Sequence, residues 1–293
     1  MTKIVWRHFS LQIPDAWEML LFSRDMQAGY CTFADRYQHR LEFNWKQIPG
    51  KPDWERMWQD YRDQLACKSN HNSAPFPLQS YKEWVGLDIR AEKAANSRYG
   101  RWFSGEHCLI EMVFLWPGRR DEQLLKQVLD SVAEVPADRH ARRLWCAFGM
   151  QVLASDALAL RVCVAQPGQV QMVFTHVKDA LREERFERMG LVSYWLRETV
   201  EKWLRKRLPQ TVTVRNLSSA NVAKHAMITV TGDRIGTGMR RLFSRRRPYY
   251  AQAWICPCDE RLYSVMITDE INQSQHELPM PRLTCCDQMR LAV

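Results

Sequence analysis

The first clear strand signal in the chain is the stretch Phe9-Ser-Leu-Gln-Ile-Pro-Asp-Ala-Trp17. Apolar residues at positions 9, 11 and 13 alternate with polar ones, which is the period of a half-buried β-strand. Pro14 and Asp15 then favour a turn, because proline has no amide hydrogen for a strand ladder and aspartate is common in turns. The stretch therefore predicts a short strand that ends in a tight turn.

The second half of the chain repeats the pattern of the first. Phe148-Gly-Met-Gln-Val-Leu153 resembles the opening strand, and further strand patterns and an amphipathic helix follow in both halves. A repeat period of about 140 residues is too long for a solenoid and indicates two copies of one domain. We expect an α+β fold with domains at 1–137 and 144–293, each an antiparallel sheet with packed helices.

Each copy carries a helical pattern. In residues 53–67, Trp54, Met57, Trp58 and Tyr61 lie at the i, i+3, i+4 and i+7 positions of one helix face. The second copy predicts a longer helix at about 180–207, with cations in its last turn that suit the helix dipole. A closing helix is expected at 121–133. At the corresponding place, the second copy has a tail interrupted by proline.

Composition limits the class of protein. The chain has 293 residues and 46% hydrophobic content, enough for two ordinary domains with cores of their own. No run approaches the roughly 20 apolar residues of a membrane span, and the first residues lack the apolar core of a signal peptide. We therefore expect a cytoplasmic protein without a membrane span.

The net charge of +9 is unevenly distributed. Residues 1–140 carry 19 Lys and Arg against 19 Asp and Glu, and the rest of the chain holds the remaining 23 against 14. The whole excess therefore belongs to the second copy. Such asymmetry indicates an anionic partner at that half, although a solvated basic surface is the alternative.

The order of elements resembles the PsbP-like fold, which PsbP, the Ran-binding Mog proteins and the bacterial DcrB and Eag-type proteins share. The resemblance rests on the Phe9–Trp17 stretch and on Leu41-Glu-Phe-Asn-Trp45 before a helix, and it covers residues 3 to about 135. The second copy has Ser155-Asp-Ala-Leu158 in place of the Pro-x-x-Trp turn. The resemblance implies a binding or adaptor domain without a shared catalytic centre; Eag-type members are chaperones in type VI secretion, and Mog proteins bind a GTPase.

An arginine run, Met239-Arg-Arg-Leu-Phe-Ser-Arg-Arg-Arg-Pro-Tyr-Tyr250, lies at a hairpin of the second copy. Arginine matches phosphate and carboxylate geometry, and neighbouring aromatic rings can stack on bases. Three interpretations stay open: a phosphate-binding or nucleic-acid-binding loop, a contact with an acidic protein surface, and a solvated loop. With the cations of the second helix, the predicted partner-binding residues are Arg240, Arg241, Arg245, Arg246, Arg247, Tyr249, Lys202, Arg205, Lys206 and Arg207.

Four of the nine cysteines lie near the C-terminus: Cys256, Cys258, Cys285 and Cys286. Four thiolates can hold one tetrahedral zinc, and a tail without a periodic pattern would gain order from such a metal. The spacing matches no strong zinc signature, so a redox-active or disulfide pair and unliganded thiols are the alternatives. We expect no cofactor, with a structural zinc at these four cysteines as the one candidate.

Catalytic patterns are weak. The eight histidines make no His-x-x-x-His or His-Glu-x-x-His spacing, and an activated thiol in Glu106-His107-Cys108 is the nearest candidate. We therefore predict a non-enzymatic adaptor or interaction scaffold whose basic second domain binds an acidic protein surface or a phosphate-bearing ligand. The alternative is a nucleic-acid-binding accessory protein.

Overall fold

The computed structural model describes residues 1–68, 77–90, 95–236, 246–268 and 282–286. The chain divides into two compact units, Met1–Val135 and Pro136–Val293. In the described residues, antiparallel strands far outnumber helices, with twenty strands and four helices. The expected antiparallel sheets with packed helices are present, but the fold is mostly β rather than an even α+β mixture.

The first unit is built around a seven-stranded antiparallel sheet. Its elements are β1 (Thr2–Trp6), β2 (Phe9–Ile13), β3 (Glu18–Phe22), β4 (Ala28–Ala34), β5 (His39–Gln47), α1 (Trp54–Lys68), β6 (Gln79–Tyr81), β7 (Trp84–Arg90), β8 (Ala95–Phe103), β9 (Cys108–Trp116), α2 (Glu122–Ser131) and β10 (Ala133–Glu134). The strands of the large sheet follow the order β3-β4-β5-β9-β8-β7-β6, and β10, β2 and β1 pair in that order.

The core of the first unit follows the sequence pattern closely. Leu41, Phe43 and Trp45 alternate on β5 and are all buried, as period-two alternation requires. Trp58 of α1 packs on Leu87 and Ile89 of β7. The amphipathic pattern at residues 53–67 is therefore a helix laid on a sheet, as predicted.

The second unit has the same kind of sheet. Its elements are β11 (Arg142–Ala147), β12 (Met150–Ser155), β13 (Ala159–Gln166), β14 (Gln169–His176), β15 (Asp179–Met189), α3 (Val192–Trp195), α4 (Val200–Arg207), β16 (Val212–Val222), β17 (His225–Arg234), β18 (Arg247–Ile255), β19 (Leu262–Thr268) and β20 (Leu283–Thr284). The large sheet follows the order β13-β14-β15-β19-β18-β17-β16, and β11, β12 and β20 pair in that order.

The two large sheets have one topology. In each sheet the first three strands form a meander. The sheet's last strand in chain order, β9 or β19, lies beside the third strand, and the remaining three strands follow outward from it. Helices α3 and α4 follow β15 as α1 follows β5. Trp203 and Leu204 of α4 pack against a core that includes Val230 of β17, much as Trp58 packs on β7. The internal echo in the sequence thus corresponds to a repeated strand order.

The single helix predicted at 180–207 is wrong. Residues 179–189 form β15, a central strand between β14 and β19, and only the short helices α3 and α4 follow it. Glutamate and arginine in this segment favour a helix, but in the sheet partners distant in sequence satisfy its buried glutamates. Glu187, fully buried, accepts hydrogen bonds from Arg207 at 2.8 Å and Ser264 at 3.2 Å.

Within the described residues, none of the helices has the length and apolar content needed to cross a membrane.

Candidate functional site

The structure brings three of the four predicted metal-ligand cysteines together and adds a histidine. His225, Cys256, Cys285 and Cys286 each place one donor atom within 4.8 Å of the others. Nε2 of His225 lies 3.2 Å from Sγ of Cys285 and 3.6 Å from Sγ of Cys286, and the two sulfurs are 3.8 Å apart. We call these four residues the His/Cys cluster.

Three separate chain segments supply the His/Cys cluster. His225 begins β17, Cys256 directly follows β18, and Cys285 and Cys286 follow β20. His225 and Cys256 are fully buried. The fourth predicted ligand, Cys258, is exposed and lies outside the cluster, although it forms a hydrogen bond with Cys286. In the candidate ligand set, His225 therefore replaces Cys258, which the sequence had suggested as the fourth ligand.

The histidine ring is held in a defined orientation. Nδ1 of His225 lies 2.7 Å from the carbonyl oxygen of Ala223; because a carbonyl oxygen only accepts, Nδ1 carries the hydrogen in this contact. In the neutral ring Nε2 is then the atom with a lone pair, and it faces the sulfurs. Ala223 and Lys224 both have positive φ, at 46° and 65°, as a tight two-residue hairpin turn requires.

Sequence reasoning missed His225 because nothing near it in the chain marks it as a ligand. The missing information is the register between β17 and β18, which pairs Ile228 with Ala253. Continuing this antiparallel register by three residues places His225 opposite Cys256. A histidine at the start of a strand becomes a ligand candidate only once its cross-strand partner is known.

Burial determines the electrostatics of the cluster. Burial raises the pKa of the Cys285 thiol to about 11, although a hydrogen bond from the Trp254 indole acts in the opposite direction. Burial also raises the pKa of Cys256, whose sulfur accepts hydrogen bonds from the backbone amides of Cys258 and Asp259 that act in the opposite direction. Both sulfurs therefore have N–H donors that favour a thiolate over a thiol.

Among the predicted partner-binding cations, several already have carboxylate partners. Arg205 pairs with Glu201 at 3.1 Å, Lys206 with Glu198 at 2.7 Å, Arg207 with Glu187 at 2.8 Å and Arg247 with Asp179 at 2.5 Å. Lys202 and Arg246 are exposed and make no ion pair within the described ranges. Arg240, Arg241 and Arg245 lie outside the described residues, so the arginine loop as a partner site stays a prediction.

Tyr249 is a correction to the predicted partner-binding set. Its side chain is only 3% exposed and belongs to the core under α4. Burial raises its pKa well above the usual value for tyrosine. A ring in this position packs between the sheet and the helix, because alternation along β18 turns it inward, and it cannot meet a partner on the surface.

A groove of about 500 Å³ lies elsewhere in the second unit, where β15 ends. Its walls are the turn around Gly168, the segment that enters α3, and the turn between β18 and β19. Leu191 and Tyr194 line it with 68% and 74% of their surface exposed. We call it the Arg188 groove, after the half-buried arginine in its wall.

Arg188 is the distinctive residue of this groove. Its guanidinium forms neither a hydrogen bond nor an ion pair with any described residue. Burial, and to a smaller extent the positive charge of the nearby Arg261, lower its pKa. One nitrogen lies against Gly149, where any larger side chain would overlap it. The nearby Asp259 favours the charged form of Arg188 but forms no ion pair with it. A half-buried cation without a hydrogen-bond partner costs stability, which makes Arg188 a candidate for binding an anionic group.

The apolar wall of the Arg188 groove is held in place by hydrogen bonds. The Trp195 indole donates to the carbonyl oxygen of Gly190 at 2.8 Å, and the amide of Gly190 donates to the carbonyl oxygen of Gly168 at 2.7 Å. Leu191 adopts a left-handed conformation with φ of 53°. The exposed Leu191 and Tyr194 therefore project from a segment that is already ordered.

The opposite wall carries acidic groups. Asp259 accepts a hydrogen bond from the Tyr263 hydroxyl at 2.7 Å and lies 3.9 Å from Arg261. Glu260 is exposed on the rim. Because Asp259 already accepts a hydrogen bond, Arg188, Arg261 and Glu260 are the charges that the groove offers to a ligand.

The activated-thiol alternative in the first unit finds no support in the geometry. Cys108 is fully buried, and burial raises its pKa to about 11. A nucleophilic cysteine instead needs a lowered pKa and access to substrate.

Comparisons with known proteins give no family. No protein-family model matches the chain, and no curated protein matches its sequence. Among solved structures, a chain of the Tle4–Tli4 complex matches at 11% identity and a TM-score of 0.34, covering 96% of this chain and 95% of that one. The immunity protein TplEi of the T6SS from Pseudomonas aeruginosa matches at 10% identity and a TM-score of 0.34, covering 94% and 90%.

A second TplEi structure, complexed with an "L" peptide, matches at 11% identity and a TM-score of 0.31, with 94% of each chain covered. Matches below a TM-score of 0.5 define neither the fold nor the function of this chain. The PsbP-like resemblance is likewise neither supported nor opposed by them and stays a prediction.

Proposed function

We propose that the chain is a non-enzymatic binding protein whose second unit takes up a segment of a partner protein in the Arg188 groove. The observation that carries this proposal is the unpaired, half-buried guanidinium of Arg188 beside the exposed side chains of Leu191 and Tyr194. Tyrosine and arginine are the residue types that dominate binding energy in protein interfaces.

The chemistry of the groove specifies the kind of segment. A carboxylate of the partner would neutralise Arg188 with charge-assisted hydrogen bonds, and neighbouring aliphatic or aromatic side chains would cover Leu191 and Tyr194. We therefore propose an apolar segment that carries Asp or Glu. This role agrees with the basic character of the second half, and it places the contact at the end of β15 rather than at the arginine loop.

Two of the similar structures are of an immunity protein, in one case bound to a peptide. A peptide-binding role for this chain is our own proposal, and its support is the ordered groove wall. An ordered wall binds with a smaller loss of entropy than a flexible loop does.

A peptide selection tests the proposal. Random peptides displayed on phage are selected on the purified full chain, and the enriched peptides are synthesised and titrated by fluorescence anisotropy. We expect an acidic residue next to apolar ones, and a 10- to 100-fold loss of affinity for Arg188→Gln, because hydrogen bonds to charged groups contribute about 1.5–3 kcal/mol.

Lys202→Gln is the matched control, because it removes one positive charge from an exposed site outside the groove. It should change peptide affinity by less than about twofold, as expected for a screened surface charge. Equal losses of affinity in the two variants would mean that the peptide responds only to the general positive charge of the surface and not to the groove.

Thermal unfolding of Arg188→Gln gives a second readout. If Arg188 serves binding, the neutral side chain relieves the cost of a half-buried charge, and stability should stay equal or rise while affinity falls. A loss of stability together with affinity would instead assign Arg188 a structural role.

Salt dependence and nuclease treatment distinguish a nucleic-acid ligand from a protein partner. Binding to nucleic acid would fall steeply with salt for any sequence, since counterions are released from the phosphates. A complex captured from native lysate that survives nuclease and depends on Arg188 would support the protein partner.

A further inference from the structure

The His/Cys cluster has the dimensions of a tetrahedral metal site. With metal–sulfur bonds of about 2.3 Å and metal–nitrogen bonds of about 2.0–2.1 Å, the edges of such a site are about 3.8 Å between sulfurs and about 3.6 Å between sulfur and nitrogen. Cys285 and Cys286 are 3.8 Å apart, and His225 lies 3.6 Å from Cys286. Three of the four donor atoms therefore have about the spacing of tetrahedral corners, with the His225–Cys285 edge shorter at 3.2 Å, and the sulfur of Cys256 lies within 4.8 Å of each of them.

The residues around the donors match the surroundings of a bound metal. Metal-binding histidines commonly donate their second ring nitrogen to a carbonyl oxygen, which fixes the orientation of the ring. His225 does so through Ala223 at 2.7 Å. The Trp254 indole donates to Cys285 at 3.4 Å, and two backbone amides donate to Cys256, so N–H donors surround the sulfurs as well.

Three soft sulfur ligands and one imidazole select zinc among the common divalent ions. We propose that His225, Cys256, Cys285 and Cys286 bind one Zn²⁺ as a closed structural site, with Cys258 outside the ligand set. The metal joins the start of β17, the end of β18 and the segment that follows β20. This inference does not rest on the proposed peptide groove.

Metal content of the full chain tests the ligand set. The protein is purified under reducing, chelator-free conditions, supplied with zinc, freed of excess metal and measured by inductively coupled plasma mass spectrometry. We expect about one zinc per chain for the wild type, most of it lost in His225→Ala, and full content in the matched control Cys258→Ser.

A rescue variant covers the case in which His225→Ala does not fold. His225→Cys supplies a sulfur from the same position and should recover the zinc. Cobalt substitution adds a spectroscopic measure, because thiolate-to-cobalt charge-transfer absorption increases with the number of sulfur ligands. It should be stronger in His225→Cys than in the wild type and unchanged in Cys258→Ser.

Three results would contradict the proposed ligand set. A wild-type chain without zinc after loading would overturn the site. Loss of zinc in Cys258→Ser with wild-type content in His225→Ala would assign the metal to the four cysteines instead. A disulfide between Cys285 and Cys286 in the reduced, zinc-loaded protein, detected by mass spectrometry, would also overturn the proposal, because oxidised sulfurs do not serve as thiolate ligands.

Discussion

The hydroxyl of Tyr263 donates a hydrogen bond to the carboxylate of Asp259 over 2.7 Å. Asp259 lines the Arg188 groove, whereas the buried ring of Tyr263 stacks on Trp254, with ring centres 5.8 Å apart. Trp254 in turn donates to Cys285 in the His/Cys cluster. A continuous set of contacts thus joins the proposed metal site to one wall of the proposed peptide groove.

This connection predicts that metal and peptide binding are coupled. Removing zinc with a chelator should weaken binding of a selected peptide by about fivefold or more, the lower range of coupling between sites, because the turn that carries Asp259 loses its anchor at Cys256. Peptide titrations with and without chelator measure the effect. An unchanged affinity in the metal-free chain would show that the contacts transmit no coupling.

Gly149→Ala should weaken peptide binding through Arg188. Gly149 has φ of 68°, and an added methyl group would overlap the Arg188 guanidinium and displace it. Gly118→Ala in the first unit is the control, since its added methyl group meets no atom within 4 Å. Gly149→Ala should lose stability by roughly 1 kcal/mol from backbone strain, measured by urea unfolding, and should lose affinity by the amount seen in Arg188→Gln, whereas Gly118→Ala should change neither.

Arg207→Ala should destabilise the second unit, although Arg207 was predicted to be a partner-binding cation. Its guanidinium lies 2.8 Å from the fully buried carboxylate of Glu187, so truncation removes a charge-assisted hydrogen bond and costs about 1–3 kcal/mol. Arg205→Ala, which breaks the exposed pair with Glu201, should cost less than about 0.5 kcal/mol. Chemical unfolding compares the two variants; equal costs would mean that Glu187 does not depend on Arg207.

Tyr249→Phe should leave peptide binding unchanged and stability equal or higher by up to about 1 kcal/mol. The buried hydroxyl has no hydrogen-bond partner within the described ranges, so its removal deletes a polar group without leaving one unsatisfied. Thermal unfolding and the same peptide titration measure both effects. A clear loss of affinity would restore Tyr249 to the partner-binding set.

The pattern of alternating apolar residues correctly predicted individual strands of the first unit. Phe9–Ile13 is a strand that ends before Pro14, and Asp121 caps α2 by accepting a hydrogen bond from the amide of Leu124. These features depend on residues close together in the chain, where the spacing of apolar, capping and turn residues is decisive.

The segment 179–189 shows where local pattern fails. Its glutamates and arginines favour a helix when considered alone, yet it forms a central strand in which distant partners, such as Arg207 for Glu187, satisfy the buried glutamates. In the sheet order β15 holds the place that β5 has in the first unit, between the second strand of the meander and the last strand of the sheet.

The sequence by itself indicated antiparallel strands in each half, an echo between the two halves, and cysteines gathered near the C-terminus, but not that the fold is mostly β. Only the tertiary structure placed His225 beside Cys285 and Arg188 beside Leu191. The reason is physical: spacing along the chain fixes which face of a strand a side chain occupies, whereas a ligand set or a groove depends on register and packing between strands that are far apart in sequence.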